Sequence, residues 1–83
     1  MLRELLEYLV KKVVSNPKKI DIKETTEEDG TIHLSFSVAP EDMGLVIGKQ
    51  GRTITAIRSL VKTAAAKAGE RVFVELVEKG GKT

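Results

Sequence analysis

Leu2, Leu5, Leu6, Leu9, Val10, Val13 and Val14 recur at spacings of three and four, which predicts an amphipathic helix over residues 2–15. Glu4 and Glu7 fall in its first half and Lys11 and Lys12 in its second, the order the helix dipole favours. Pro17 is the expected stop. Ile20 and Ile22 open a strand that turns polar through residues 24–28, and Asp29-Gly30 reads as a hairpin turn. Beyond it Ile32, Leu34, Phe36 and Val38 alternate with His33, Ser35 and Ser37, the pattern of a strand with one wet face.

Pro40 suits the first position of a short helix, with Glu41 and Asp42 in its first turn and Met43, Val46 and Ile47 as its apolar stripe. Gly48-Lys49-Gln50-Gly51 interrupts that stripe. Ile54, Ile57, Val61, Ala64 and Ala68 then share one side of a longer helix, for which Gly69 is the expected C-terminal cap. Residues 71–77 read as a closing strand with Val72, Val74 and Leu76 on one face. Phe73 is out of phase with them and falls on the other.

The order α-β-β-α-α-β predicts an α+β fold in which three helices cover one face of a three-stranded mixed sheet. The two helices between the second and third strands form a crossover long enough for parallel pairing. One domain is expected over residues 1–78, followed by a flexible tail over 79–83.

Charge sharpens this picture. Residues 1–19 carry five bases and two acids, residues 20–42 one base and seven acids, and residues 43–71 six bases and one acid, Glu70. The basic third contains the two bracketing glycines, so an anionic partner is steered there. The chain has 83 residues and no cysteine, which excludes disulfides and thiolate metal sites. No apolar run approaches the ~20 residues of a membrane span, and the first residues lack the organisation of a signal peptide. A cytoplasmic location is expected.

Two nucleotide-cofactor motifs fail on spacing. Only three residues separate Gly44 from Gly48, and Gln50 follows Lys49 where a Walker A loop needs Ser or Thr. A dinucleotide fingerprint needs a glycine where Val46 stands and a strand just upstream. What remains is a helix, a Gly-Lys-Gln-Gly turn and a second helix beginning at the turn. Glycines let a sugar-phosphate backbone lie against the main chain, and the first N–H groups of a helix favour anions. Lys49 adds charge at the tip and Arg52 just inside the helix.

"VIGKQGRTI" resembles the signature of the K-homology (KH) domain, a branched apolar residue followed by Ile-Gly-x-x-Gly and an apolar residue three positions on. The preceding helix and two strands resemble the type II arrangement. The similarity is closest to the small bacterial single-KH proteins of the KhpA (YlqC) family, through "VAPEDMGLVIGKQGRTITAIRSLVKTAAAKAGERVFVEL". That resemblance implies a type II KH fold and a clamp on about four nucleotides of single-stranded RNA. Carried onto this chain, it implies that Gly48 and Gly51 admit the RNA backbone while Lys49 and Gln50 meet phosphates. Ile47 and Ile54 would anchor the loop to the core, Gly44 would leave room beside the bases, and Arg52 and Arg58 would add cationic contacts. Leu45 stands where a basic residue is common in the family. The family also suggests a homodimer, or a heterodimer with a larger KH protein of the Jag (KhpB) type.

Each residue has a plainer reading. Gly44 could serve helix packing, and Arg52 and Arg58 could simply face solvent; His33 has no partner in the sequence that would make it a ligand or a base. Phe36 is expected in the core and Phe73 on the outer sheet face, where it would suit a protein contact. The alternative function is therefore a protein-assembly module using the free sheet face. No enzyme motif, cofactor signature or metal-ligand cluster is present in the pattern, and no small-molecule substrate is implied.

Overall fold

The computed structural model describes residues 2–78; the expected tail over 79–83 lies outside them. The first helix, α1, spans Leu2–Lys11 and buries Leu2, Leu6 and Val10, one residue per turn along a single line. It is four residues shorter than the apolar spacing predicts. Lys12 and Val13 already donate to carbonyls three residues back, at 3.2 and 3.0 Å, so the helix tightens and ends. Pro17 disfavours a helical Asn16 before it and opens a 3₁₀ turn, Pro17–Lys19. Val13 and Val14 still pack against the core, from outside the helix.

Strands β1 (Asp21–Thr26) and β2 (Ile32–Ser37) pair antiparallel, with Asp21 opposite Ser37 and Thr26 opposite Ile32. The turn falls at Asp29-Gly30 as expected. The Glu27 N–H donates to the Thr31 carbonyl (2.8 Å) and the Gly30 N–H to the Glu27 carbonyl (2.9 Å), the pattern of a three-residue hairpin loop. Asp29 fastens it by accepting the Thr31 N–H at 2.9 Å.

After a second 3₁₀ turn, Pro40–Asp42, come α2 (Met43–Ile47), a tight turn at Lys49–Gly51 and α3 (Arg52–Lys67). Strand β3 (Val72–Leu76) lies parallel to β2, with Ile32 opposite Val72 and Phe36 opposite Leu76. The sheet order is β1-β2-β3. Helix α3 ends in paired bonds from Gly69 N–H to Ala66 (3.0 Å) and Glu70 N–H to Ala65 (2.8 Å), a Schellman closure.

All three helices cover one sheet face, as the pattern predicts. The core joins Leu6 and Val10 of α1, Leu34 and Phe36 of β2, Val46 of α2, Ile54, Ile57, Val61 and Ala65 of α3, and Val72 and Val74 of β3. Phe36 is fully buried, and burial of such a side chain contributes about 1.5–3 kcal/mol. Along α3 the line runs through Ala65; Ala64 is half-buried and Ala68 is exposed, because Val61 repeats four residues on rather than seven. The opposite sheet face carries His33, Ser35, Phe73 and Glu75, and Phe73 is half exposed, as its phase predicts.

Candidate nucleic-acid interface

The site begins with a clamp that the sequence pattern does not reveal. Asp42, buried at the start of α2, accepts the backbone N–H of Asn16 at 3.0 Å, and the Asn16 side chain donates to Glu41 at 3.1 Å. The segment leaving α1 is thereby tied to the foot of α2. Helix α2 is little more than one turn; Val46 is fully buried in the core and Met43 packs against it half-buried. Leu45 and Ile47 are 49% and 40% exposed. The expectation that Ile47 anchors the loop is therefore corrected: Ile47, about 100° round the helix from Val46, lies on the surface beside the turn. Ile54 does anchor it, buried beneath the start of α3.

Gly48 closes α2 by donating its N–H to the Gly44 carbonyl at 2.9 Å, then adopts φ 75°, ψ 176°. That region is essentially restricted to glycine. A Cβ there would also collide with Thr53, 2.7 Å from its Cβ and 2.9 Å from its backbone nitrogen. What lies close against Gly48 is thus the first turn of α3 from the same chain. Gly51, at φ 74°, has open space where its Cβ would be, so backbone conformation alone favours glycine there. Gln50 shares the left-handed region, at φ 57°, which costs a non-glycine residue roughly 1–2 kcal/mol.

Three of four consecutive residues at positive φ fold the turn back on itself. The Gly51 N–H reaches the Gly48 carbonyl at 3.2 Å. Lys49 and Gln50 stand exposed at its tip, with Arg52 exposed just beyond. Among the described residues no side chain caps the start of α3. A helix start leaves N–H donors without intrahelical acceptors and carries partial positive charge. Helix α3 adds Arg52, Arg58, Lys62 and Lys67 and contains no acid. The structure thus brings Gly48, Lys49, Gln50, Gly51 and Arg52 into one basic protrusion, with Ile47 and Leu45 as apolar surface on α2 leading into it.

A Cβ on Gly44 would meet no atom within 4 Å, so packing within the protein does not require glycine there. Arg58 is placed differently from a free surface cation: its Nε donates to the Val74 carbonyl at 3.2 Å, bridging α3 to β3 at the edge of the sheet. His33 Nε2 donates to the Glu27 carboxylate (2.6 Å) and its ring stacks on Phe73 at 5.3 Å. Among the described residues no group of His, Asp or Glu is arranged to hold a metal ion, and no helix is long and apolar enough to cross a membrane.

Residues 3–76 match the family described as KhpA/KhpB, KH domain. The chain is 47% identical over 76 residues to the RNA-binding protein KhpA of Clostridium acetobutylicum, covering 92% of this chain and 100% of that relative. It is 47% identical over 74 residues to KhpA of Caldanaerobacter subterraneus (89% and 97% covered). With KhpA of Chlamydia pneumoniae it shares 42% over 77 residues (93% and 97%). Two solved structures share the fold with a TM-score of 0.55 at 19% identity, over 94% of this chain. One is Aquifex aeolicus Era bound to GDP and aluminium fluoride, the other Era with MgGDPNP and nucleotides 1506–1542 of 16S ribosomal RNA. This chain spans 30% of each of those chains.

Proposed function

The chain belongs to the KhpA/KhpB family of KH domains, and from that premise we propose that it is a non-enzymatic RNA-binding protein of the cytoplasm. Its turn Gly48-Lys49-Gln50-Gly51 grips a single strand of RNA, about four nucleotides long. The observation that carries this reading is the turn itself: it is strained, exposed and basic, and it opens onto a helix start that no side chain caps. Lys49 and Gln50 meet phosphates at the positive end of α3, with Arg52 adding a second cation. Ile47 offers apolar surface to a base, and Gly44 leaves space beside it. Arg58 stands between α3 and β3, with one nitrogen committed to Val74 and its remaining donors available to a base edge or phosphate. The family relatives above carry the name RNA-binding protein, which supports the same reading.

A single unit of this size contacts few nucleotides, so its affinity is weak unless a second unit binds the same strand. Pairing with a second copy, or with a KhpB-like KH protein, supplies that avidity. Phe73, 50% exposed on the outer sheet face, favours a second reading, in which protein assembly through that face is the main role. Backbone amide shifts on titration with short single-stranded RNA separate the two. The RNA-grip reading expects the largest shifts at residues 47–55; no shifts there, with concentration-dependent shifts on β3, would favour assembly.

A further inference from the structure

Two basic stretches far apart in sequence meet at one end of the sheet. Residues 11–19 hold four lysines and no acid, and they run from the end of α1 through the turn Pro17–Lys19 to the start of β1. Asp21 at that start lies opposite Ser37, the last residue of β2, and β2 leads through Pro40–Asp42 into α2. Helix α2 is five residues long, about 7.5 Å, and ends at the Gly-Lys-Gln-Gly turn. Lys18 and Lys19 therefore share an end of the domain with Lys49 and Arg52, while the acidic hairpin residues Glu27, Glu28 and Asp29 occupy the other.

Between the two stretches, toward the β1 edge and so on the opposite side of the sheet from β3, lies an open pocket of about 350 Å³ lined by Lys18, Lys19, Val38, Ala39 and Pro40. Small-ligand sites begin at about this size. Val38 and Ala39 are buried while Lys18, Lys19 and Pro40 stand exposed around them, so an apolar floor sits between cations. The carboxylates beside it are engaged: Asp42 accepts the Asn16 N–H and Glu41 the Asn16 side chain. Asp21, exposed two residues beyond Lys19, is the acid left at the rim. Lys11 pairs with Glu7 at 3.4 Å and Lys12 lies over the Tyr8 ring, whereas among the described residues Lys18 and Lys19 form no ion pair. An apolar floor edged by unpaired cations suits a nucleobase with its phosphates. An acidic peptide would meet the same lysines, but the open β1 edge along which it would extend carries Asp21 and Glu24; a strand leaving the turn arrives over α2 instead.

We propose that this pocket is a second contact for single-stranded RNA, in which one base lies against Pro40 above Val38 and Ala39 and the phosphates beside it pair with Lys18 and Lys19. It rests on the RNA-grip reading of the turn, from which the strand crosses α2. A strand longer than the turn alone holds is thus gripped at two points on the basic end of the domain.

The test compares a uridine tetranucleotide with a uridine nonanucleotide by fluorescence anisotropy at several salt concentrations. Native protein is set beside a Lys18→Ala, Lys19→Ala variant and the Lys49→Asp, Gln50→Asp turn variant. A Lys23→Glu control changes the net charge by the same amount on the outer sheet face. Lys18, Lys19 and Lys23 are exposed, so their variants fold, which a thermal melt verifies. Lys18→Ala, Lys19→Ala is expected to make the log–log salt slope of the longer RNA shallower by about 1.4, about 0.7 for each phosphate contact, and to leave the slope of the shorter unchanged. Between about 50 and 200 mM salt the native protein then loses about sevenfold more affinity for the longer RNA than the variant does.

A native slope for the nonanucleotide in Lys18→Ala, Lys19→Ala overturns the pocket while leaving the turn reading intact. The same result with a change in sedimentation mass also overturns it, and assigns the two lysines to a protein contact. Equal flattening with the tetranucleotide, or by Lys23→Glu, overturns it as well, because neither depends on a longer strand reaching this pocket. If the doubly substituted turn binds both RNAs like the native protein, the turn reading falls, and a flattening confined to Lys18→Ala, Lys19→Ala with the longer RNA still sustains the pocket.

Discussion

The first turn of α3 fills the space that a side chain on Gly48 would need: Thr53 Cβ lies 2.7 Å from where a Gly48 Cβ would stand. The turn and the helix behind it are packed together with no gap for even a methyl group. Gly48 is consequently a structural requirement of the turn, whatever binds to its outer side.

Gly48→Ala therefore combines a backbone region closed to alanine with a steric clash, and is expected to cost about 2–4 kcal/mol. Gly51→Ala, with open space around it, loses only about 1–2 kcal/mol through its positive φ. Urea unfolding of the two variants measures the difference, and equal losses would show that Thr53 yields without cost.

Gln50 carries left-handed strain on an exposed loop, so Gln50→Gly is expected to leave stability unchanged or raise it by up to about 1 kcal/mol. If the Gln50 side chain meets a phosphate, the same variant binds single-stranded RNA more weakly. A melt and an RNA titration on one sample read the two effects separately; destabilisation would mean that Gln50 makes contacts that favour the fold.

Asp42→Ala leaves the part-buried Asn16 N–H without its acceptor, at a cost of about 1–3 kcal/mol. Asp42→Asn retains an oxygen at the same place and is expected to lose less. The ordering of the two melting midpoints checks this, and a reversal would point to the charge of Asp42 as the larger contribution.

The Asp29 carboxyl titrates below its ordinary value, chiefly because it accepts the Thr31 backbone N–H. A carboxylate lowered by the fold stabilises the folded state above the unfolded value of about 3.9, and that contribution fades as the pH falls through the lowered value. The group is open to solvent, so the effect is small and its pH dependence is confined to the acid limb. Asp29→Asn should lower stability slightly at pH 7, where the carboxylate's contribution is fully present, and flatten the further loss below about pH 4.

Where the sequence pattern had a clear period, it placed the structure well. Phe36 and Phe73 went to opposite sheet faces because a strand alternates strictly, and the helix of Ile54, Ile57 and Val61 has a regular buried line. The pattern failed where an apolar run exceeds what the local element can bury. Leu45-Val46-Ile47 offers three apolar residues to a helix with room for one, and only the packed structure selects Val46. Val13 and Val14 satisfy a helical spacing while packing from a turn. Contacts between distant segments, such as Asp42 with Asn16 or Arg58 with Val74, leave no trace in spacing. At the turn, the sequence shows two glycines and a lysine but not Thr53 behind them. In Thr53 a signal was present but weak: a small residue five positions after a glycine is too common to be read alone.

Anisotropy with short RNA at several salt concentrations tests most directly whether the turn holds single-stranded RNA. Native protein making two or three phosphate contacts gives a log–log salt slope of about −1.5 to −2. The Lys49→Asp, Gln50→Asp variant, still folded by circular dichroism, is predicted to lose that binding. Equal binding by both proteins, or none by either at high concentration, would contradict an RNA-holding turn and move protein assembly through the outer sheet face to first place.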